Sequence, residues 1–198
     1  MPGEVRALVR EAEQRIERFQ RDCHVPAFVP CDFARVYAAL RTVSADDTMS
    51  GRLFCEWGSG FGVVTCMAAM LELEAWGIEI DGELVGEARR LARDFELAAE
   101  FVRGSFIPPG SDVRLSGEGF AWLSPEEEDL CAEMDLGPGD FNLVFAYPWP
   151  DEEKVIAGLF EQHAMEGALL LSYHGNHDVR LRRKWRVRGR NSKPLPRR

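Results

Sequence analysis

Leu53-Phe54-Cys55-Glu56-Trp57-Gly58-Ser59-Gly60-Phe61-Gly62 (LFCEWGSGFG) decides how the rest of this chain is read. The apolar run 53–55 is a buried strand, and 56–62 is a turn with glycines at 58, 60 and 62. Residues 63–73 are apolar almost all round, as in a helix buried against a sheet. Such a strand, turn and helix builds a cradle. Glycines let a ligand approach the backbone, and the start of the helix offers free N–H groups. The dinucleotide fingerprint G-x-G-x-x-G would need its third glycine at 63, where Val63 stands. By itself the turn is equally an ordinary tight strand–helix connection.

The neighbouring segments extend the pattern in both directions. Downstream, 75–80 is a second strand, and Asp81 caps an amphipathic helix with Leu84, Val85, Ala88, Leu91, Ala92 and Phe95 on its inner face. Phe101-Val102-Arg103 is a third strand, 142–146 a fourth, 152–165 a helix and 168–173 a fifth strand. Ser124-Pro125-Glu126-Glu127 is a capping box opening a short acidic helix to about Met134. Upstream, Val5, Leu8, Val9, Ala12, Ile16 and Phe19 form one stripe of a helix over 2–22, and a second helix follows Asp32. Alternation of strands and helices predicts an α/β protein: a three-layer sandwich with a mostly parallel sheet and helices on both faces. Beyond Gly175 the period becomes two. Val179, Leu181, Trp185 and Val187 alternate with Arg180, Arg182, Lys184, Arg186 and Arg188, giving a strand with one apolar and one basic face, Arg183 being the single exception on the apolar side.

The 198 residues carry 45% hydrophobic side chains and a formal charge of −9, read as one domain. Residues 1–50 form a helical segment packing on or lidding the site, 51–175 the core, and 176–198 a basic strand and tail. Residues 180–198 hold ten Arg or Lys and no acid, leaving 33 acids against 14 bases in the rest. So acidic a body argues against non-specific nucleic-acid binding as the main activity, although the tail keeps a nucleic-acid contact open. Otherwise the tail neutralises the body or forms a dimer edge. No apolar run is long enough for a membrane helix, no secretory signal opens the chain, and the five cysteines form no C-x-x-C pair. The expectation is a soluble, cytoplasmic monomer or homodimer without a metal site.

The turn E-x-G-x-G-x-G closely resembles the first motif of class I S-adenosylmethionine-dependent methyltransferases, which have a Rossmann-like fold. The resemblance implies S-adenosyl-L-methionine as cofactor, cradled by Glu56, Trp57, Gly58, Ser59, Gly60 and Gly62, with Glu56 toward its amino-acid end. Trp76-Gly77-Ile78-Glu79-Ile80-Asp81 resembles the second motif, with Glu79 as ribose ligand beside Ile80. In Gly104-Ser105-Phe106, Ser105 stands where the family often has the acid that meets adenine. Tyr147-Pro148-Trp149-Pro150 lies at the fourth motif, but Tyr147 replaces the Asn or Asp that accepts from a target amine. The family's C-terminal strand hairpin is truncated here to one strand. Compact members that methylate protein lysines share the glutamate after the second strand and an extended segment like Phe28-Val29-Pro30 before the first.

Methyl transfer is an in-line displacement, so the protein mainly aligns the reactants and excludes water. A base is needed only if the nucleophile arrives protonated. Candidates are Tyr147 and Trp149 as walls of the methyl channel, and His174 as a base, with Tyr173 and His177 nearby. The acceptor is a nitrogen or oxygen, a protein lysine in the first reading and a small molecule or nucleic acid in the second; the third reading is a non-catalytic relic of the fold that binds the cofactor or a partner. The acidic stretch 126–135 either attracts a cationic acceptor or is a solvated helix face.

Overall fold

Two of the helices start on aspartates, as the sequence leads one to expect. Asp32 Oδ1 accepts from Arg35 N at 3.0 Å to open α2 (Phe33–Ser44), and Asp81 Oδ1 accepts from Glu83 N and Leu84 N to open α4 (Gly82–Asp94). The computed structural model describes residues 1–23, 25, 28–46, 49–109, 111 and 134–185. The acidic helix expected at 124–134 and the tail beyond 185 lie outside that set. The remaining elements are α1 (Gly3–Asp22), β1 (Leu53–Trp57), α3 (Val63–Met70), β2 (Glu74–Glu79), β3 (Ala99–Arg103), β4 (Leu143–Ala146), α5 (Glu153–His163), β5 (Leu169–Tyr173) and β6 (Val179–Arg183).

The strands form one sheet in the order β3-β2-β1-β4-β5-β6, parallel except for β6, which runs antiparallel to β5. Alternate side chains feed two cores. Phe54, Ala75, Phe101, Phe145 and Leu171 meet α1 to α4 on one face, while Cys55, Ile78, Val102, Val144 and Leu170 meet α5 on the other. Full burial of an aromatic such as Phe54 or Phe145 contributes about 1.5–3 kcal/mol. This is the Rossmann-like α/β sandwich expected, with β6 the last strand among the described residues. The chain leaves β1 toward β2 and β3, then returns to the far side of β1 as β4. That reversal opens a crevice at the carboxyl ends of β1 and β4. No helix among the described residues is long and apolar enough to cross a membrane.

The structure adjusts the sequence reading at several points. β1 includes Glu56 and Trp57, so the turn proper begins at Gly58. α3 ends at Met70 rather than Leu73, because Glu72 adopts a φ of 61° and Leu73 N bonds back to Ala68 O. Among the described residues little covers the apolar side of β6 and the residues after it: Leu181 is 53% exposed and Trp185 74%, while Val179 packs against the core under α1 to α4. The basic face of the strand is neutralised by the body, through Arg180 to Asp178 and Glu153 and through Arg182 to Glu161.

Candidate functional site

At the switch between β1 and β4 lies a cavity of about 640 Å³. It is lined by Glu56, Trp57, Gly58, Ser59, Gly60, Glu79, Ile80, Ser105, Phe106, Tyr147, Trp149 and His174. Of the residues singled out from sequence, Gly62, Tyr173 and His177 do not line it. Gly62 is the N-cap of α3 and lies against Phe101 and Ala88.

The glycine turn is held from within. Gly58 N and Ser59 N both donate to Ile78 O at 2.9 Å, Gly62 N donates to Ser59 O at 2.7 Å, and Gly60 N donates to Glu79 Oε2 at 2.8 Å. These four turn amides are therefore bonded within the protein. Gly62 has no side chain to cap α3, so Glu56 does it from β1: its Oε2 accepts from Thr65 N at 2.8 Å and Thr65 Oγ1 at 2.6 Å.

Burial pushes the Glu56 carboxyl up to about 8, against the two Thr65 hydrogen bonds and helped by the nearby Glu79 charge. A carboxyl that is protonated when folded but ionised when unfolded favours the fold at low pH. Its contribution is full below about 4.5 and declines as pH rises to about 8. With each unit worth about 1.4 kcal/mol, ligand-free protein should lose up to a few kcal/mol across that window through this group. Glu56→Gln keeps an acceptor for Thr65 but cannot ionise. Its stability relative to the unsubstituted protein should rise with pH in denaturant unfolding; parallel curves would show that Glu56 is ionised when folded.

Glu79 closes the turn from the second strand. Besides Gly60 N, it accepts from Asp81 N through Oε1 at 3.0 Å, so each oxygen keeps a lone pair for a ligand. Burial raises its carboxyl above the ordinary range. Ser105 Oγ accepts from Ile107 N at 3.1 Å, leaving its O–H to donate. Trp57 and Phe106 stack in parallel with centroids 5.4 Å apart. The Ser59 hydroxyl is buried with no hydrogen-bond partner, and in front of Gly58 there is open space.

The cavity is also lined by Tyr147, Pro148, Trp149 and Pro150 after β4, by His174 after β5, and by Val29, Pro30 and Cys31 before α2. Sequence reading missed Cys31 and Glu152. Glu152 Oε2 accepts from Trp149 N at 3.0 Å while Glu152 N donates to Trp149 O at 2.9 Å, so this buried acid locks the proline turn. Trp149 itself is 42% exposed, and so is no core plug. His174 Nε2 lies 2.8 Å from Ser172 Oγ, while its buried Nδ1 is 2.9 Å from Glu153 Oε1 without making a hydrogen bond. Tyr173 is buried outside the cavity, and His177 is at the surface, 3.1 Å from Asp32.

The acids lining the cavity are Glu56, Glu79, Asp81 and Glu152; no Lys or Arg lines it among the described residues. Cys23, Cys31, Cys55 and Cys66 are free thiols, and no described cluster is arranged to hold a metal.

No family model matches the sequence, and no curated protein matches it. Solved structures do match the fold. An RNA methyltransferase from Salinibacter ruber, in complex with S-adenosyl-L-homocysteine, superposes with a TM-score of 0.51 at 20% identity, over 73% of this chain and 76% of that one. A methyltransferase from Geobacter sulfurreducens gives 0.52 at 17% identity, over 84% and 72%. An S-adenosylmethionine-dependent methyltransferase from Clostridium acetobutylicum gives 0.50 at 11% identity, over 81% of this chain and 56% of that one. The fold is that of class I methyltransferases.

Proposed function

We propose that the protein is an S-adenosylmethionine-dependent methyltransferase acting on a nitrogen or oxygen acceptor. The observation that carries this reading is the chemistry of the cavity: a glycine turn whose amides point inward, lined by four acids and by no described Lys or Arg. A pyrophosphate needs free amides and cations, and the described lining supplies no Lys or Arg for it. A nucleoside carrying a positive charge suits it.

The residues present fit that cofactor. Glu79 keeps lone pairs for ribose hydroxyls, open space faces Gly58, the unpartnered Ser59 hydroxyl is available, and the Trp57–Phe106 stack and Ser105 offer a surface and a donor for the base. The Glu56 Oε1 is the group for an ammonium at the far end of the ligand. When bound, the cofactor supplies an electrophilic methyl on a sulfonium. The chain's part is to orient the acceptor against it and keep water out. Tyr147 and Trp149 wall the channel, and the 28–33 segment closes over the turn, with Phe28 packed so tightly on Gly60 that an added Cβ would sit 2.8 Å from its ring. The free thiols suit a reducing compartment such as the cytoplasm.

Calorimetric titration tests the reading. S-Adenosylmethionine and S-adenosylhomocysteine should bind with micromolar Kd, roughly −8 kcal/mol, and nicotinamide dinucleotides should give no heat. Absence of cofactor heat, or tight NAD binding, would reverse the assignment.

A further inference from the structure

We propose that the end of β6 and the basic residues after it bind single-stranded nucleic acid, at a site separate from the cavity. Such a site is independent of the cofactor reading, because it lies at another edge of the sheet.

Residues 180–198 hold ten Arg or Lys and no acid, in a chain whose other residues hold 33 acids and 14 basic side chains. A stretch so one-sided is the electrostatic footprint of a polyanion site. Its first members are matched to the body: Arg180 pairs with Asp178 and Glu153, and Arg182 with Glu161. Those contacts neutralise the three carboxylates that a polyanion approaching β6 would otherwise meet. The excess charge follows, with six basic residues and no acid over 186–198. Eight of the ten are Arg, whose planar fork matches phosphate oxygens.

The described residues add a stacking platform. β6 is the outermost strand of the sheet. Leu181 on it is 53% exposed, and Trp185 just beyond it is 74% exposed, the highest value among the described large apolar side chains. The Arg183 guanidinium lies over the Trp185 ring, 5.8 Å from its centroid. An indole this exposed, backed by a guanidinium, offers its other face to an unpaired nucleobase. Stacking of that kind beside a basic track holds single strands without reading their sequence. Bases in a duplex already stack on one another, so the single-stranded form is favoured. Leu181, Trp185, Val187 and Leu195 are the only large apolar side chains in the stretch, too few to anchor it in a bilayer.

The register keeps this site away from the cavity. Arg183 stands opposite Leu169, where β5 begins, whereas His174 follows the end of β5 and lines the cavity. The length of β5, five residues or about 16 Å, separates the two ends. The cavity carries four acids and no described Lys or Arg, so a strand held at Trp185 is not drawn into it. The site anchors the protein on the polymer.

Fluorescence anisotropy on the full chain tests this, with labelled oligouridine and oligothymidine of about 20 nucleotides, a duplex of the same length, and phosphatidylserine vesicles. Both single strands should bind more tightly than the duplex. Their affinity should fall with salt at a log–log slope of about −4, as for six phosphates neutralised. Replacing Arg186, Arg188 and Arg190 together by Glu should weaken binding at least about tenfold and flatten that slope. Trp185→Ala should weaken single-strand binding at least about fivefold with the slope unchanged, and Trp185→Phe should restore most of it. No binding at low salt, a duplex held as tightly as the single strands, or binding that neither variant weakens would overturn the proposal. So would binding to vesicles alone, or salt-sensitive self-association in sedimentation without nucleic-acid binding.

Discussion

Gly62→Ala is expected to cost about 2–5 kcal/mol, enough to unfold a marginal domain, although Gly62 does not line the cavity. Two penalties add. The residue sits at φ 69°, a left-handed conformation that costs an L-residue about 1–2 kcal/mol. The new methyl would also overlap the Phe101 ring and lie 2.8 Å from Ala88 Cβ, and overpacking of that kind costs about 1–3 kcal/mol. Gly58 provides the control. Its φ is 73°, but nothing lies within 4 Å of an added Cβ, so Gly58→Ala meets the backbone penalty alone. That methyl would project into the open space offered to the ligand, so Gly58→Ala should hurt binding more than folding. Denaturant unfolding of both variants, with a cofactor titration on the second, separates the two roles. Equal destabilisation would mean that α3 can shift away from Phe101.

What the sequence made legible followed from periodicity and caps. Asp32 and Asp81 marked helix starts because a side-chain oxygen facing free N–H groups is a local arrangement. The strand–turn–helix at 53–70 and the glutamate at the tip of β2 line one cavity, as their place at the carboxyl edge of the sheet leads one to expect. What stayed hidden depends on distant partners. The early end of α3 turns on Glu72 in a left-handed conformation, and no Gly, Pro or Asn announces it. The exposure of Leu181 and Trp185 depends on whether anything covers the last strand, and alternation cannot report that. Glu56 read as a ligand group, yet it also caps α3, because the glycine demanded by the turn leaves the cap position without a side chain. Glu152 read as a helix start, and its grip on Trp149 N was visible only in space.

Glu79→Ala tests the remaining mismatch between sequence and structure, because a strand-tip acid reads as a ligand group that holds little of the fold. In the structure Glu79 clamps the turn, accepting from Gly60 N and Asp81 N while nearly buried. Truncation leaves those two amides without their partner, at about 1–3 kcal/mol for each one that water cannot reach. Burial of the carboxyl itself is unfavourable, as its raised pKa records, and removing it recovers part of that cost. The net loss in ligand-free stability should therefore be about 1–3 kcal/mol, well above what a solvated acid would give. Cofactor affinity should fall ten- to a hundredfold, about 1.5–3 kcal/mol, from lost charge-assisted bonds to ribose and from a slackened turn. Glu79→Gln distinguishes these causes. One amide oxygen can still hold Gly60 N, but the NH₂ then opposes Asp81 N, so stability should recover only in part while affinity stays low. Thermal melts without ligand, paired with calorimetric titration, read both quantities on one sample. A melt unchanged in Glu79→Ala would show that water satisfies the turn amides, and an unchanged Kd would place the ribose elsewhere in the cavity.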